Sequence, residues 1–256
     1  MKKLREIIFG DPKECKLLSI AACMFIIWLA WVLFAYKYPL LEFFTSPFIV
    51  WFLTNEGFGK IVEGLCSGLV SAYLFYLVID LLPREKARQK KLDALNLLVA
   101  SVLDVYDGPG VFRHEAEIQT ANCQLLSFSW LGEQIEVLKN CHAIQPQESF
   151  FFKVKSTGER AERRLADFRH TLALAAAISP AHAIQWLLVT DKLCLLVETL
   201  HERLAFERED MIPWEIGNPH PNPNYSIYMA SLCFRIQEFF EKSIEWLELE
   251  NPNHKI

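Results

Sequence analysis

Glycine supplies only 10 of the 256 residues, and its placement leaves out the common nucleotide sites. Neither Gly-x-x-x-x-Gly-Lys-Ser/Thr nor a Gly-x-Gly-x-x-Gly after a strand is present, so no glycine-rich loop is available to wrap a polyphosphate. Gly-x-Ser-x-Gly is also missing, and with it the strand-to-helix turn that exposes a serine nucleophile. The seven cysteines, at 15, 23, 66, 123, 141, 194 and 233, form no Cys-x-x-Cys and are odd in number. That pattern implies neither a zinc site nor a disulfide framework, and fits a reducing compartment. Clustered positive charge is lacking over most of the chain. From Leu92 onward 14 Lys and Arg stand against 23 Asp and Glu, a net of −9. Such an acidic body argues against nucleic acid as a partner, because phosphate contacts need grouped cations. Internal repeats, low-complexity tracts and strand ladders are absent as well.

What is present is a pair of long uncharged runs. Residues 17–36 carry no charge between Lys16 and Lys37, and residues 64–79 carry none between Glu63 and Asp80. A helix of about 20 mostly apolar residues crosses the hydrocarbon core of a bilayer. The first run meets that length alone, and the second meets it once Ile61, Val62, Leu81 and Leu82 are included. The sequence therefore predicts a cytoplasmic tail (1–16), a two-helix transmembrane hairpin (17–83) and a cytoplasmic helical domain (84–256). The first run is too long for the apolar core of a cleaved signal peptide, which spans about 7–15 residues, and reads as a retained anchor.

Cations set the orientation. Lys2, Lys3, Arg5, Lys13 and Lys16 precede the first span, and Arg84, Lys86, Arg88, Lys90 and Lys91 follow the second, whereas the connection between them carries only Lys37 and Lys60. Both termini are expected on the cytoplasmic side of a cell inner membrane. The basic strip 84–91 is expected at anionic lipid headgroups, where each cation contributes about 1 kcal/mol. Asp80 and Glu63 lie near the span ends, and the spacings Asp80–Arg84 and Lys60–Glu63 suit helix ion pairs. Gly64-x-x-x-Gly68, with Ser71 one turn on, is a small-residue helix-packing face. Its partner is either the first span of the same chain or a second copy in a homo-oligomer.

The connection is itself apolar. Ser46-Pro47 opens a short helical run, and residues 39–54 are expected to lie in the interface or re-enter the membrane. Thr54-Asn55-Glu56-Gly57-Phe58-Gly59 loosely resembles the filter of potassium-channel pore modules, Thr-x-Gly-Tyr/Phe-Gly. The register departs from that pattern, because two residues, one of them Glu56, separate the threonine from Gly-Phe-Gly. Filters need stacked carbonyl rings, so Gly57 and Gly59 read instead as a turn into the second span. The run from Ser71 to Tyr76 and on into Leu82-Pro83-Arg84-Glu85-Lys86 resembles bacterial inner-membrane proteins that carry a cytoplasmic helical tail. That resemblance implies a location and no activity.

In the tail, Leu92, Leu95, Val99, Val102, Leu103 and Tyr106 recur at helical spacing until Asp107-Gly108-Pro109-Gly110, and Pro83 is expected to kink the preceding helix rather than end it. A weaker helix is expected over 114–126 and a firm one over 128–139. Phe150-Phe151-Phe152-Lys153-Val154 suits either strand or helix. Ser156-x-x-Glu159 has the form of a capping box and predicts a helix over 156–177, with Glu159 and Arg163 paired in its first turn. Further helices are expected from Ser179-Pro180 to about 204 and over 225–248, separated by a proline-barred loop, 211–224, that holds Trp214. The fold class is all-α, an irregular helical bundle behind a membrane hairpin.

Glu198-x-x-His201 and Asp167-x-x-His170 have the spacing of a bundle metal site. In a helical hairpin about Ser179 they fall 7 residues out of register, about 10 Å at 1.5 Å per residue. They read as solvated faces, and neither a metal nor a cofactor is expected. The expected function is a membrane-anchored, non-enzymatic interaction or regulatory protein whose partners are the bilayer, anionic headgroups, a cytoplasmic protein and a second copy. The alternative is an oligomeric pore-forming or membrane-perturbing effector built from the hairpin. An anchored enzyme whose residues converge from distant positions comes third.

Overall fold

The computed structural model describes residues 12–35, 56–108, 115, 117–140, 148–202 and 223–250. All regular structure among them is helical: α1 (Pro12–Ala35), α2 (Glu56–Tyr76), a π-helical turn (Leu77–Leu81), α3 (Leu82–Asp107), α4 (Phe128–Lys139), α5 (Glu148–His170), α6 (Leu172–Ala176), α7 (Pro180–Glu202) and α8 (Pro223–Glu250), with short 3-10 turns at Ile118–Thr120 and Cys123–Leu125. The chain divides into two compact units after Ala87.

In the first unit α1 packs on α2. Cys66 is buried there, with its Sγ 3.9 Å from Met24 Sδ. Around them the apolar side chains point outward: Phe25, Ile26 and Ile27 on α1 and Ile61, Leu65, Leu74 and Phe75 on α2 are all exposed. Among the described residues one helical stretch, Gly64–Asp107, is long and apolar enough to cross a membrane; Cys15–Leu29 is a shorter apolar helix. The expected interfacial segment 39–54 lies outside the described residues. Gly57 and Gly59 fall inside the first turn of α2, not in a turn before it.

Pro83 does not end the helix. It lacks the N–H that would bond the carbonyl one turn back, and the helix widens just before it, where Leu82 N–H donates to Leu77 O across a π turn. The extra residue per turn also rotates Asp80 relative to Arg84, and among the described residues the expected ion pair between them does not form.

The second unit is a closed core of α3, α4, α5, α7 and α8. The stripe read on α3 is buried in full, as are Leu131, Ile135 and Leu138 of α4 and Met229, Leu232, Ile236, Phe239, Phe240 and Leu247 of α8. Helices α7 and α8 run antiparallel: Tyr228 Oη donates to Leu200 O at 3.3 Å, Lys192 pairs with Glu238 at 2.7 Å, and Gln185 Nε2 donates to Lys242 O at 3.1 Å. Aromatic rings fill the centre. Phe168 stacks on Trp186 at 5.0 Å and 6°, Trp186 meets Trp246 edge-on at 5.2 Å, and Tyr106 meets Phe240 at 5.1 Å.

Local expectations are settled or changed here. Phe150–Val154 is helical, because α5 already begins at Glu148. Ser156 is therefore no cap; it is buried mid-helix, on a different side of α5 from the apolar stripe formed by Phe151, Val154, Ala161 and Phe168. Glu159 pairs with Lys155 at 3.4 Å and Arg163 with Glu115 at 3.5 Å, partners outside the expected Glu159–Arg163 pair. Within 114–126 the described residues form two 3-10 turns, not a continuous helix. The loop 211–222, with Trp214, lies outside the described residues, and Pro223 opens α8, where its fixed φ suits a first helical position.

Candidate functional site

The small-residue face of α2 is turned away from α1. A Cβ placed on Gly64 or Gly68 would meet nothing within 4 Å, and both glycines and Ser71 are exposed. At 3.6 residues per turn the α1 contact, marked by Cys66 and the half-buried Tyr73, lies on the opposite side of the helix. Of the two partners weighed for Gly64 and Gly68, α1 of the same chain does not occupy them among the described residues. Between the two faces runs a groove of about 270 Å³ lined by Phe25, Trp28, Ser67, Val70 and Ser71. Trp28 Nε1 is enclosed and has no hydrogen-bond acceptor among the described residues.

The basic residues all fall on α3. Arg84, Lys86, Arg88 and Lys90 are exposed and Lys91 is half-buried. Helical geometry places Arg84, Arg88 and Lys91 on one side and Lys86 and Lys90 on the other, so the cations ring the helix instead of forming a single face.

A polar cluster that sequence patterns did not single out joins three helices of the second unit. Ser179 precedes α7 and caps it: its Oγ accepts from His182 N–H at 3.2 Å and also lies 2.7 Å from His182 Nδ1. The buried His182 ring sits edge-on to Trp246 at 5.4 Å. Trp246 Nε1 donates to Asn96 Oδ1 at 2.7 Å, and Asn96 Nδ2 donates to Glu250 Oε2 at 3.2 Å. Burial, assisted by the positive charge of Arg88, holds the His182 pKa below its ordinary value. Burial pushes the Glu250 carboxyl up, against the opposing pull of the Asn96 hydrogen bond. His182 Nε2 and Glu250 Oε1 are enclosed without partners among the described residues. The only sequence signal for this cluster was Ser179-Pro180, a helix start; Asn96 and Glu250 lie 154 residues apart and nothing local links them.

Two further cations are partly or wholly enclosed. Arg160 Nε donates to Ser101 O at 3.3 Å, and burial, reinforced by Arg164, lowers its pKa to about 10. Lys153 lies 4.1 Å above the Tyr106 ring, and burial lowers its pKa as well.

The metal-like pairs do not converge. His201 Nε2 lies 3.0 Å from Glu162 Oε1, Glu198 Oε1 accepts from Cys194 Sγ at 3.4 Å, and Asp167 pairs with Arg164 at 3.0 Å. Among the described residues no group of three or more His, Cys, Asp or Glu is placed to hold a metal ion. No family model, curated protein or solved structure matches the chain.

Proposed function

We propose that this chain is a membrane-anchored, non-enzymatic interaction or regulatory protein, in which α1 and α2 form a transmembrane hairpin and the acidic helical domain is held at the inner face of the membrane. One contrast carries the reading. Of the 19 large hydrophobic side chains left exposed among the described residues, 13 lie between Leu17 and Ile79, while apart from Cys66 and Leu81 every buried hydrophobic residue lies at or beyond Leu92. The second unit is thus built for water. In water the first would expose far more contiguous apolar surface than a soluble protein carries, and it is suited to lipid, whose chains solvate such a surface. The cations around α3 suit a helix entering the headgroup layer, where anionic lipids surround it on all sides.

Three measurements test this. Alkaline carbonate should leave the full-length protein in the membrane fraction. Reporter fusions at position 256 should be active only as cytoplasmic reporters, while a single cysteine in 37–60 of an otherwise cysteine-free chain should label from outside intact cells. Release by carbonate, or labelling only after lysis, refutes the anchored topology.

A further inference from the structure

We infer that the junction of α3, α7 and α8 is an acid-released latch: neutral His182 keeps the first turn of α7 and the last turns of α8 closed on α3, and its protonation lets them part while the rest of the core stays packed. Every group involved lies in the second unit, so the latch operates with or without the membrane anchor proposed above.

His182 is only 5% exposed, and its two ring nitrogens are held differently. Nδ1 lies 2.7 Å from Ser179 Oγ, whereas Nε2 is enclosed without a partner among the described residues. A neutral ring fits by carrying its proton on Nδ1 and donating it to the serine, which leaves Nε2 only a bare lone pair. The charged ring must carry a proton on Nε2 as well, and a buried N–H with no acceptor is costly. Two sources of positive potential add to that cost. Ser179 caps α7, so His182 sits at the third helical position, within the positive end of the helix dipole. Arg88 on α3 repels the cation too.

The other charges around the junction do not offset this. On α8, Lys242 and Glu245 pair with each other at 2.6 Å. Glu250 responds to acid in the opposite sense, because burial raises its pKa and a proton relieves that burial. On α3, Asp93 accepts from Gln89 at 2.8 Å. Helix α6 carries no charge, and α5 meets α7 one turn later through Phe168.

Geometry makes the release local. His182 meets Trp246 edge-on at 5.4 Å, and Trp246 and Glu250 are tied to α3 through Asn96. These contacts occupy one end of the bundle. Further along, Lys192 and Glu238 join α7 to α8 at 2.7 Å. Burial opposes the Glu238 carboxylate there, but hydrogen bonds from Lys192 and Arg235 outweigh it and hold its pKa below the ordinary value, so that tie persists in mild acid. A proton reaches the enclosed Nε2 only when the junction opens, and acid then traps the open form. Once exposed, the imidazole regains its ordinary pKa of 6.5. The latch is therefore closed above that value and is released progressively as pH falls below it.

Amide hydrogen exchange of the full chain in non-ionic detergent, corrected for the intrinsic pH dependence of exchange, tests the latch. Between about pH 7.5 and about pH 5 the opening of 180–186 and 244–250 should rise by up to about thirtyfold, the limit for one proton taken up by an ordinary imidazole in the open form. Helix α4 should stay better protected than these segments at both pH values. Equal protection of the two, or no rise, refutes the latch. His182→Gln should remove the rise, and Glu250→Gln should keep it. Ser179→Asp retains a good cap and places a carboxylate beside Nδ1, so it should suppress the rise even where His182→Gln loosens the junction at neutral pH. A rise that survives either His182→Gln or Ser179→Asp, or one that vanishes in Glu250→Gln, refutes His182 as the trigger.

Discussion

Trp186 should be the residue whose loss most clearly exposes how the second unit is joined. Helix α5 ends at His170, and its last carbonyls need donors from elsewhere. Phe168 O receives Trp186 Nε1 at 2.9 Å, while the single hydroxyl proton of Thr171 is shared between Asp167 O at 2.8 Å and Phe168 O at 3.1 Å. The indole of α7 thus caps the C-terminus of α5 while its ring stacks on Phe168. Trp186→Phe keeps a ring in the stack and removes the donor. The hydrogen bond contributes about 1 kcal/mol, and the smaller ring leaves roughly 40 Å³ unfilled, about 1 kcal/mol more at 24 cal/mol per Å³. The expected cost is about 2 kcal/mol, against about 3–5 kcal/mol for Trp186→Ala. Thr171→Val alone should cost less, because the indole still serves the carbonyl. The double variant should cost more than the two single changes combined, since only then is a buried carbonyl orphaned. Urea unfolding of the full chain in non-ionic detergent, followed by near-ultraviolet circular dichroism, measures all four proteins. A Trp186→Phe variant within about 0.5 kcal/mol of the wild type, or strict additivity with Thr171→Val, would show that the indole does not cap α5.

The polar cluster predicts opposing pH dependences that single variants should separate. The His182 pKa is lowered in the folded state, so its contribution is fully present above the unfolded value of 6.5 and is lost as pH falls below it; His182→Gln should flatten that acid-side loss in equilibrium unfolding. The Glu250 pKa is raised above 4.5, so folding loses stability as pH climbs from there through the folded value; Glu250→Gln should therefore be more stable than wild type at pH 7 in the same measurement, and a destabilised variant would contradict the stated burial cost. Asn96→Ala should cost about 1–3 kcal/mol, because it strips both the acceptor from Trp246 and the donor from Glu250, and the Trp246 emission maximum should shift with it.

Much of the architecture was legible because its signals are local. Helix α4 matches its reading end to end, since Ser127 caps it and Leu131, Ile135 and Leu138 repeat at helical spacing into the core. The stripes of α3 and α8 were legible for the same reason. Readings failed where one local signal outranked a longer pattern. Ser156-x-x-Glu159 looks like a helix start in isolation, yet the helix that carries the apolar stripe from Phe151 to Phe168 runs through it, and burial of that stripe outweighs the capping preference. The weak helix read over 114–126 lacks a comparable stripe and breaks into single turns.

The sequence by itself determined that the chain is helical, that its first third is apolar beyond the needs of a soluble core, and that its charge divides into a basic strip and an acidic body. Each of these follows from composition and spacing along a few consecutive turns. Only the tertiary structure decided which face of α2 meets α1 and which is left open, because Gly64-x-x-x-Gly68 specifies closeness without naming a partner. Tertiary structure alone also brought Ser179, His182, Trp246, Asn96 and Glu250 into one cluster. Their meeting depends on how three helices turn about their axes, and a rotation of one residue, about 100°, would carry any of them out of reach.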